Sequence, residues 1–135
     1  MKVRQLPLLL FTISLATIQC KKEEAPALPP DQPGSVTITT PVANTLYENG
    51  FVLTVEGEMI DNNVLSTARV EVRNKTTGAL LFQQSTPTGN VTFFRFLWNW
   101  TVTGMTANIV ATVKITAVDF QSREVSKQVD ILLGP

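Results

Sequence analysis

The sequence predicts an all-β fold, a two-sheet antiparallel sandwich of about seven strands in residues 34–135. Three observations carry this expectation. Apolar and polar residues alternate with a period of two along most of that span. Turn-forming clusters recur between the alternating runs. No stretch sustains helical spacing. A domain of roughly 100 residues buries over about 60% of its unfolded surface, so it needs no staple.

Taken in chain order, the first nineteen residues stand apart from the fold. Lys2 and Arg4 form a short basic segment, and Leu6 to Ile18 form an apolar run interrupted by Pro7, Thr12, Ser14 and Thr17. The run is too short to cross a bilayer comfortably and fits the core of a signal peptide, residues 1–19. It ends at Cys20, the only cysteine of the chain. A cysteine there resembles the lipobox of bacterial lipoproteins. The resemblance implies that the Cys20 thiol takes a diacylglycerol and becomes the first residue after cleavage. Thr17 and Gln19 stand where that motif usually has a branched aliphatic and a small residue. Ordinary signal cleavage after Ala16, with Ser14 and Ala16 small at the required places, is the other reading.

Residues 21–24, "KKEE", resemble the surface-export signal of Bacteroidota lipoproteins. That implies an outer-membrane lipoprotein facing the cell surface; a solvated spacer is the alternative. Four prolines in residues 26–33 stiffen the stretch from Cys20 to Pro33 toward polyproline II. At roughly 3.1 Å per residue, its thirteen residues from Lys21 to Pro33 make a tether of up to about 40 Å. Two acyl chains would anchor such a head stably to the membrane, where one would be marginal.

From Gly34 the period is two. "SVTITT" (35–40) alternates and stops at Pro41. "FVLTVEGEM" (51–59) sets Phe51, Leu53 and Val55 against Thr54, Glu56 and Glu58. "ARVEVR" (68–73) sets Ala68, Val70 and Val72 against Arg69, Glu71 and Arg73, and "NIVATVKITAV" (108–118) aligns Ile109, Ala111, Val113, Ile115 and Ala117. Such alternation marks half-buried strands. "ENG" (48–50), "DNN" (61–63), "KTTG" (75–78), "PTGN" (87–90) and "TGMT" (103–106) are expected to be the turns between them.

"ITTPVANTLYENGFVLTVEGEMIDNN" is similar to the opening of bacterial Ig-like and cadherin-like domains: a strand, a proline, a turn, a strand ending in glycine, then an acidic loop. "ATVKITAVDFQSREVSKQVDI" is similar to their last hairpin, with an Ala-x-Asp ending at Asp119. The chain has no Cys pair and no Tyr just before Asp119 to make a tyrosine corner, so it departs from antibody-type domains. The resemblance spans about residues 35–133 and implies an extracytoplasmic adhesion, spacer or scaffold module with a protein or glycan partner at the cell envelope.

Residues 93–100, "FFRFLWNW", hold five of the ten aromatics of the chain. Alternate residues of a strand share a face. Phe94, Phe96, Trp98, Trp100 and Val102 therefore form one apolar row, and Phe93, Arg95, Leu97, Asn99 and Thr101 the other. The first row reads as core, each large side chain contributing about 1.5–3 kcal/mol on burial. The second turns polar along its length and is the candidate recognition row, for a partner protein or for a carbohydrate. Phe93 and Leu97 would make contact there, with Arg95 and Asn99 hydrogen-bonding beside them.

The remaining chemistry is sparse. Once residues 1–19 are removed, nine basic side chains face eleven acidic ones, a balance that does not draw nucleic acid. Without His, and with a single Cys, the usual zinc sets cannot be assembled. Calcium is the one metal to weigh, because cadherin-like modules hold it between loops; Glu48, Asp61, Asn62 and Asp119, all expected in loops, of which alternate ones gather at one end of a sandwich, are the candidate ligands, with solvated turn acids as the other reading. Three Asn-x-Ser/Thr sequons occur, at Asn74, Asn90 and Asn99, and carry meaning only in a eukaryotic secreted protein. Glu56 and Glu58 would lie about 7 Å apart on one strand face, within a glycosidase range but without an expected cleft. No nucleophile elbow, phosphate loop or His base is present, so an enzyme is not expected.

Overall fold

The computed structural model describes residues 34–135; the expectations for the signal peptide, Cys20 and the tether lie outside the described residues. Among the described residues the regular structure is entirely β. It comprises β1 (Ser35–Thr40), β2 (Leu46–Glu48), β3 (Val52–Asn74), β4 (Leu80–Thr101), β5 (Ile109–Asp119) and β6 (Glu124–Gly134). Two of these strands run for more than twenty residues. Each bends once, and the bends convert one continuous sheet into two facing layers.

The pairing shows how. Residues 52–60 of β3 lie between β1 and residues 93–101 of β4, whereas residues 65–74 lie between β5 and residues 80–91 of β4. One layer therefore reads β1–β3–β4, and the other β4–β3–β5–β6–β2. Substituting the strand letters of an Ig-like sandwich gives A–B–E against C′–C–F–G, the Ig-like order, with β2 as an extra strand beyond G. The expectation of about seven separate, purely antiparallel strands is corrected in two respects. "DNN" and "PTGN" bend strands rather than end them. A short β2, not anticipated as a strand, runs parallel to β6.

Both corrections have local causes. At the bends Val64, Gly89 and Asn90 take φ of 65°, 78° and 60°, the left-handed region that turns the ribbon without closing it. The ladder skips from Ile60 to Leu65 and slips again before Thr67. Hydroxyls take up carbonyls at the slip: Thr88 Oγ1 donates to the Leu65 carbonyl at 2.6 Å, and Ser66 Oγ reaches the Val118 and Asp119 carbonyls. The slip also changes which parity faces inward, from Leu53, Val55 and Met59 to Ala68, Val70 and Val72. After Pro41 the chain crosses between layers, with the Asn44 N–H on the Asp130 carbonyl and the Leu132 N–H on the Thr45 carbonyl. It thus meets β6 travelling in the same direction.

The core is one cluster to which both layers contribute, including Leu53, Val55, Phe96, Val70, Ile115 and Leu133. Phe51, expected in the inner row, is exposed instead. It precedes β3, closes a turn by donating its N–H to the Glu48 carbonyl, and packs its ring on Tyr47.

Candidate interaction site

The aromatic segment sits in the first layer, at its side edge. Its inner row is core: Phe96 is 1% and Trp98 4% exposed, and Val102 is fully buried. Phe96 and Trp98 stack at 4.9 Å. Because β4 folds back over itself, its first half supplies the opposite wall. Phe82 stacks on Trp100 at 5.6 Å, and Trp98 Nε1 donates to Thr86 Oγ1 at 3.0 Å. Phe94 and Trp100, the first and last aromatics of the row, are only half-buried.

The outer row is where the sequence placed it. Phe93 is 49% and Leu97 61% exposed, with Arg95 and Asn99 exposed between and beyond them. On β3 the register sets Ile60 against Phe93, Glu58 against Arg95, Glu56 against Leu97 and Thr54 against Asn99. Thr54 Oγ1 donates to Asn99 Oδ1 at 2.9 Å. Exposed Ile60 extends the apolar end of the row. The period of β3 could have revealed it, since Ile60 follows Thr54, Glu56 and Glu58 on the same face.

Among the described residues the segment 93–101 pairs with β3 on one side only. All nine residues of that segment pair in unbroken register with residues 52–60. Val102 donates to the Phe51 carbonyl and accepts from Gly50, so Val102 turns both backbone groups toward β3. In an antiparallel ladder that orientation alternates. The N–H and C=O of Phe93, Arg95, Leu97, Asn99 and Thr101 therefore point away from β3, along an open edge.

The calcium candidates do not form one set. Glu48 ends β2 against Gly134, at the Ile109 end of β5, while Asp119 is the last residue of β5. An eleven-residue strand separates them by roughly 33 Å. Asp61 and Asn62 lie within β3, at the bend. The expectation that all four occupy loops is thus corrected, and only Asp61, Asn62 and Asp119 share an end of the sandwich. Both aspartates are buried and engaged. Asp61 Oδ1 accepts the Asn63 N–H at 2.7 Å. Asp119 Oδ1 accepts the N–H groups of Gln121 and Arg123, and Oδ2 accepts Arg123 Nε at 2.7 Å. Burial by itself would raise the Asp119 pKa, but the hydrogen bonds and charge of Arg123, with help from Gln121, hold it below the ordinary carboxylate value. The Ala-x-Asp aspartate thus organises the turn that follows it. Among the described residues no three His, Cys, Asp or Glu side chains converge as a metal site.

No family model matches the chain, and no curated protein matches it. Among solved structures it is similar to CopC from Methylosinus trichosporium OB3b, at 9% identity and a TM-score of 0.46 over 75% of this chain and 95% of that one. It is also similar to murine CRIg, at 8% identity and a TM-score of 0.43 over 76% of this chain and 98% of that one.

Proposed function

We propose that this chain is a lipid-anchored interaction module of the bacterial cell envelope: an Ig-like head on a proline-rich tether, working as an adhesion or scaffold element. The observation that carries the reading is the outer row of residues 93–99. There Phe93 and Leu97 are exposed beside Arg95 and Asn99 on a regular strand, a mixture of apolar anchors and polar groups suited to a protein surface. The sequence supplies the anchor. The apolar run ending at Cys20, followed by "KKEE" and four prolines, supports an outer-membrane lipoprotein of Bacteroidota type facing outward. Radiolabelled palmitate should enter the wild-type chain and not Cys20→Ala, and protease added to intact cells should remove the head. Label retained by Cys20→Ala would discard the anchor; a head protected in intact cells would place it on the inner side.

A carbohydrate ligand is the second reading. With Asn99 Oδ1 already bonded to Thr54, the Asn99 amide N–H groups remain to donate beside the apolar Leu97. Backbone amide shifts confined to residues 93–99 on sugar titration, lost in Phe93→Ala, would favour it. A glycan panel that moves none of them would reject it.

A further inference from the structure

The open edge of β4 has a register that matches a second copy of itself. We propose that two heads associate edge to edge through residues 93–101, antiparallel about a two-fold axis at Leu97, so that the β1–β3–β4 layer continues across the dyad into β4–β3–β1 of the partner.

Four features argue for this occupant. The edge is long and regular, with no Pro, Gly or Lys in residues 91–101, whereas natural edges are commonly blunted by such residues or by bulges. The second feature is the backbone. Phe93, Arg95, Leu97, Asn99 and Thr101 turn their N–H and C=O groups to the open side. A dyad at Leu97 makes Leu97 its own partner, Arg95 the partner of Asn99 and Phe93 that of Thr101, all as hydrogen-bonded pairs.

The third feature is the inner row. The same dyad sets Phe94 opposite Trp100 of the second copy, and these are the two aromatics of the row that the single head leaves half-buried. They would meet at a non-hydrogen-bonded position, where facing side chains come closest. The fourth is charge. Arg95 is the only charged residue of the segment, and this register sets it against Asn99, whereas a parallel pair in register or a dyad at Arg95 would oppose two arginines. A single strand edge lies at the small end of specific interfaces, so the association is expected to be micromolar.

This inference shares its strand with the proposed function but not its anchor, and the test removes the anchor. The full chain carrying Cys20→Ser, which has neither thiol nor lipid acceptor, is followed by sedimentation velocity from micromolar to near-millimolar concentration. A reversible monomer–dimer equilibrium is expected. Leu97→Lys, which would oppose two ammonium groups at the dyad, should weaken it by at least about tenfold with an unchanged far-ultraviolet circular dichroism spectrum. Added to the Cys20→Ser chain, Leu97→Cys should oxidise to a covalent dimer. Arg95→Cys should not, because its two copies lie four residues out of register. A monomer at every concentration overturns the proposal, and so does a Leu97→Lys dimer of unchanged strength or equal cross-linking by both cysteine variants. A monomer that still binds an envelope partner through Phe93 would overturn self-pairing alone and leave the interaction reading standing.

Discussion

Gly57→Ala is the substitution through which the architecture of the first layer can be tested most sharply. Gly57 lies in the middle strand of that layer, paired with Ile38 of β1 on one side and with Phe96 of β4 on the other. A Cβ there would overlap the Thr37 carbonyl oxygen and stand 2.6 Å from Phe96 Cζ. The ring could swing away, but the carbonyl belongs to the β1 backbone and moves only with the strand. Overpacking of this kind costs about 1–3 kcal/mol, and a backbone obstruction belongs at the upper end. Alanine also stiffens the unfolded chain, which returns about 0.4–1 kcal/mol. The net expected loss is then roughly 2–3 kcal/mol, or a fall in Tm of about 10–20 °C for a domain this size. Urea and thermal unfolding followed by tryptophan fluorescence would measure it. Phe96→Leu added to Gly57→Ala removes the ring from the clash and not the carbonyl, so it should not restore stability. A Gly57→Ala protein as stable as wild type would refute the close approach of β1, and full rescue by the double variant would refute the assignment of the cost to the backbone.

Two further perturbations follow from the same geometry. Asp119 and Asp130 both sit below the ordinary carboxylate pKa. Asp119 is held there against its own burial by Arg123 and Gln121, and Asp130 by the Lys75 ammonium and then the Thr112 hydroxyl. Carboxylates depressed in the folded state contribute stability that is present above their unfolded pKa of about 3.9 and is lost as pH falls through the folded value. Stability measured by equilibrium unfolding should therefore fall below about pH 4, and Asp119→Asn should flatten that decline while lowering stability at neutral pH; an unchanged acid limb in Asp119→Asn and Asp130→Asn would contradict it. Thr86→Val keeps side-chain shape but leaves the buried Trp98 indole N–H without its acceptor, at an expected cost of about 1–3 kcal/mol in the same unfolding assay. A loss under about 0.5 kcal/mol would show that the bond contributes nothing net.

The alternation in "FVLTVEGEM", "ARVEVR" and "NIVATVKITAV" separates the buried faces except at Phe51, which precedes β3 and is exposed. The continuity of β3 and β4 was not legible. "DNN" and "PTGN" carry the chemistry of turns that end strands, and only long-range pairing decides that here they bend them. A strained Val64, whose carbonyl accepts the Phe120 N–H from the next hairpin, shows how tertiary context overrides the local signal. The same limit governs the candidate site. A period of two placed Phe93, Arg95, Leu97 and Asn99 on one exposed row, but nothing local to residues 93–101 reveals that their backbone faces an open edge. Turn chemistry beside Glu48, Asp61 and Asp119 predicts one cluster of loops, but the parallel β2 carries Glu48 to the far end.

The aromatic run has a reason in the way the two layers are joined. On this side the sandwich is bounded by β4 alone, which belongs to both layers and crosses between them at Gly89 and Asn90. Facing sheets stand about 10 Å apart, a gap that small side chains from two edge strands cannot fill. Phe82 on Trp100 and Thr86 on Trp98 fill it with one large partner per level. Phe94 is placed nearest the bend in the same row, and with Trp100 it is one of the two aromatics of that row left half-buried. The demand for bulk at the side of the sandwich and the supply of apolar surface for a neighbouring strand are therefore met by the same row. Shortening Trp100 to Leu should consequently do two things at once: open the Phe82 wall and remove the group that Phe94 of a second copy would cover. If Trp100→Leu destabilised the head and left self-association unaltered, the two roles would be separable and the edge would be only a seam.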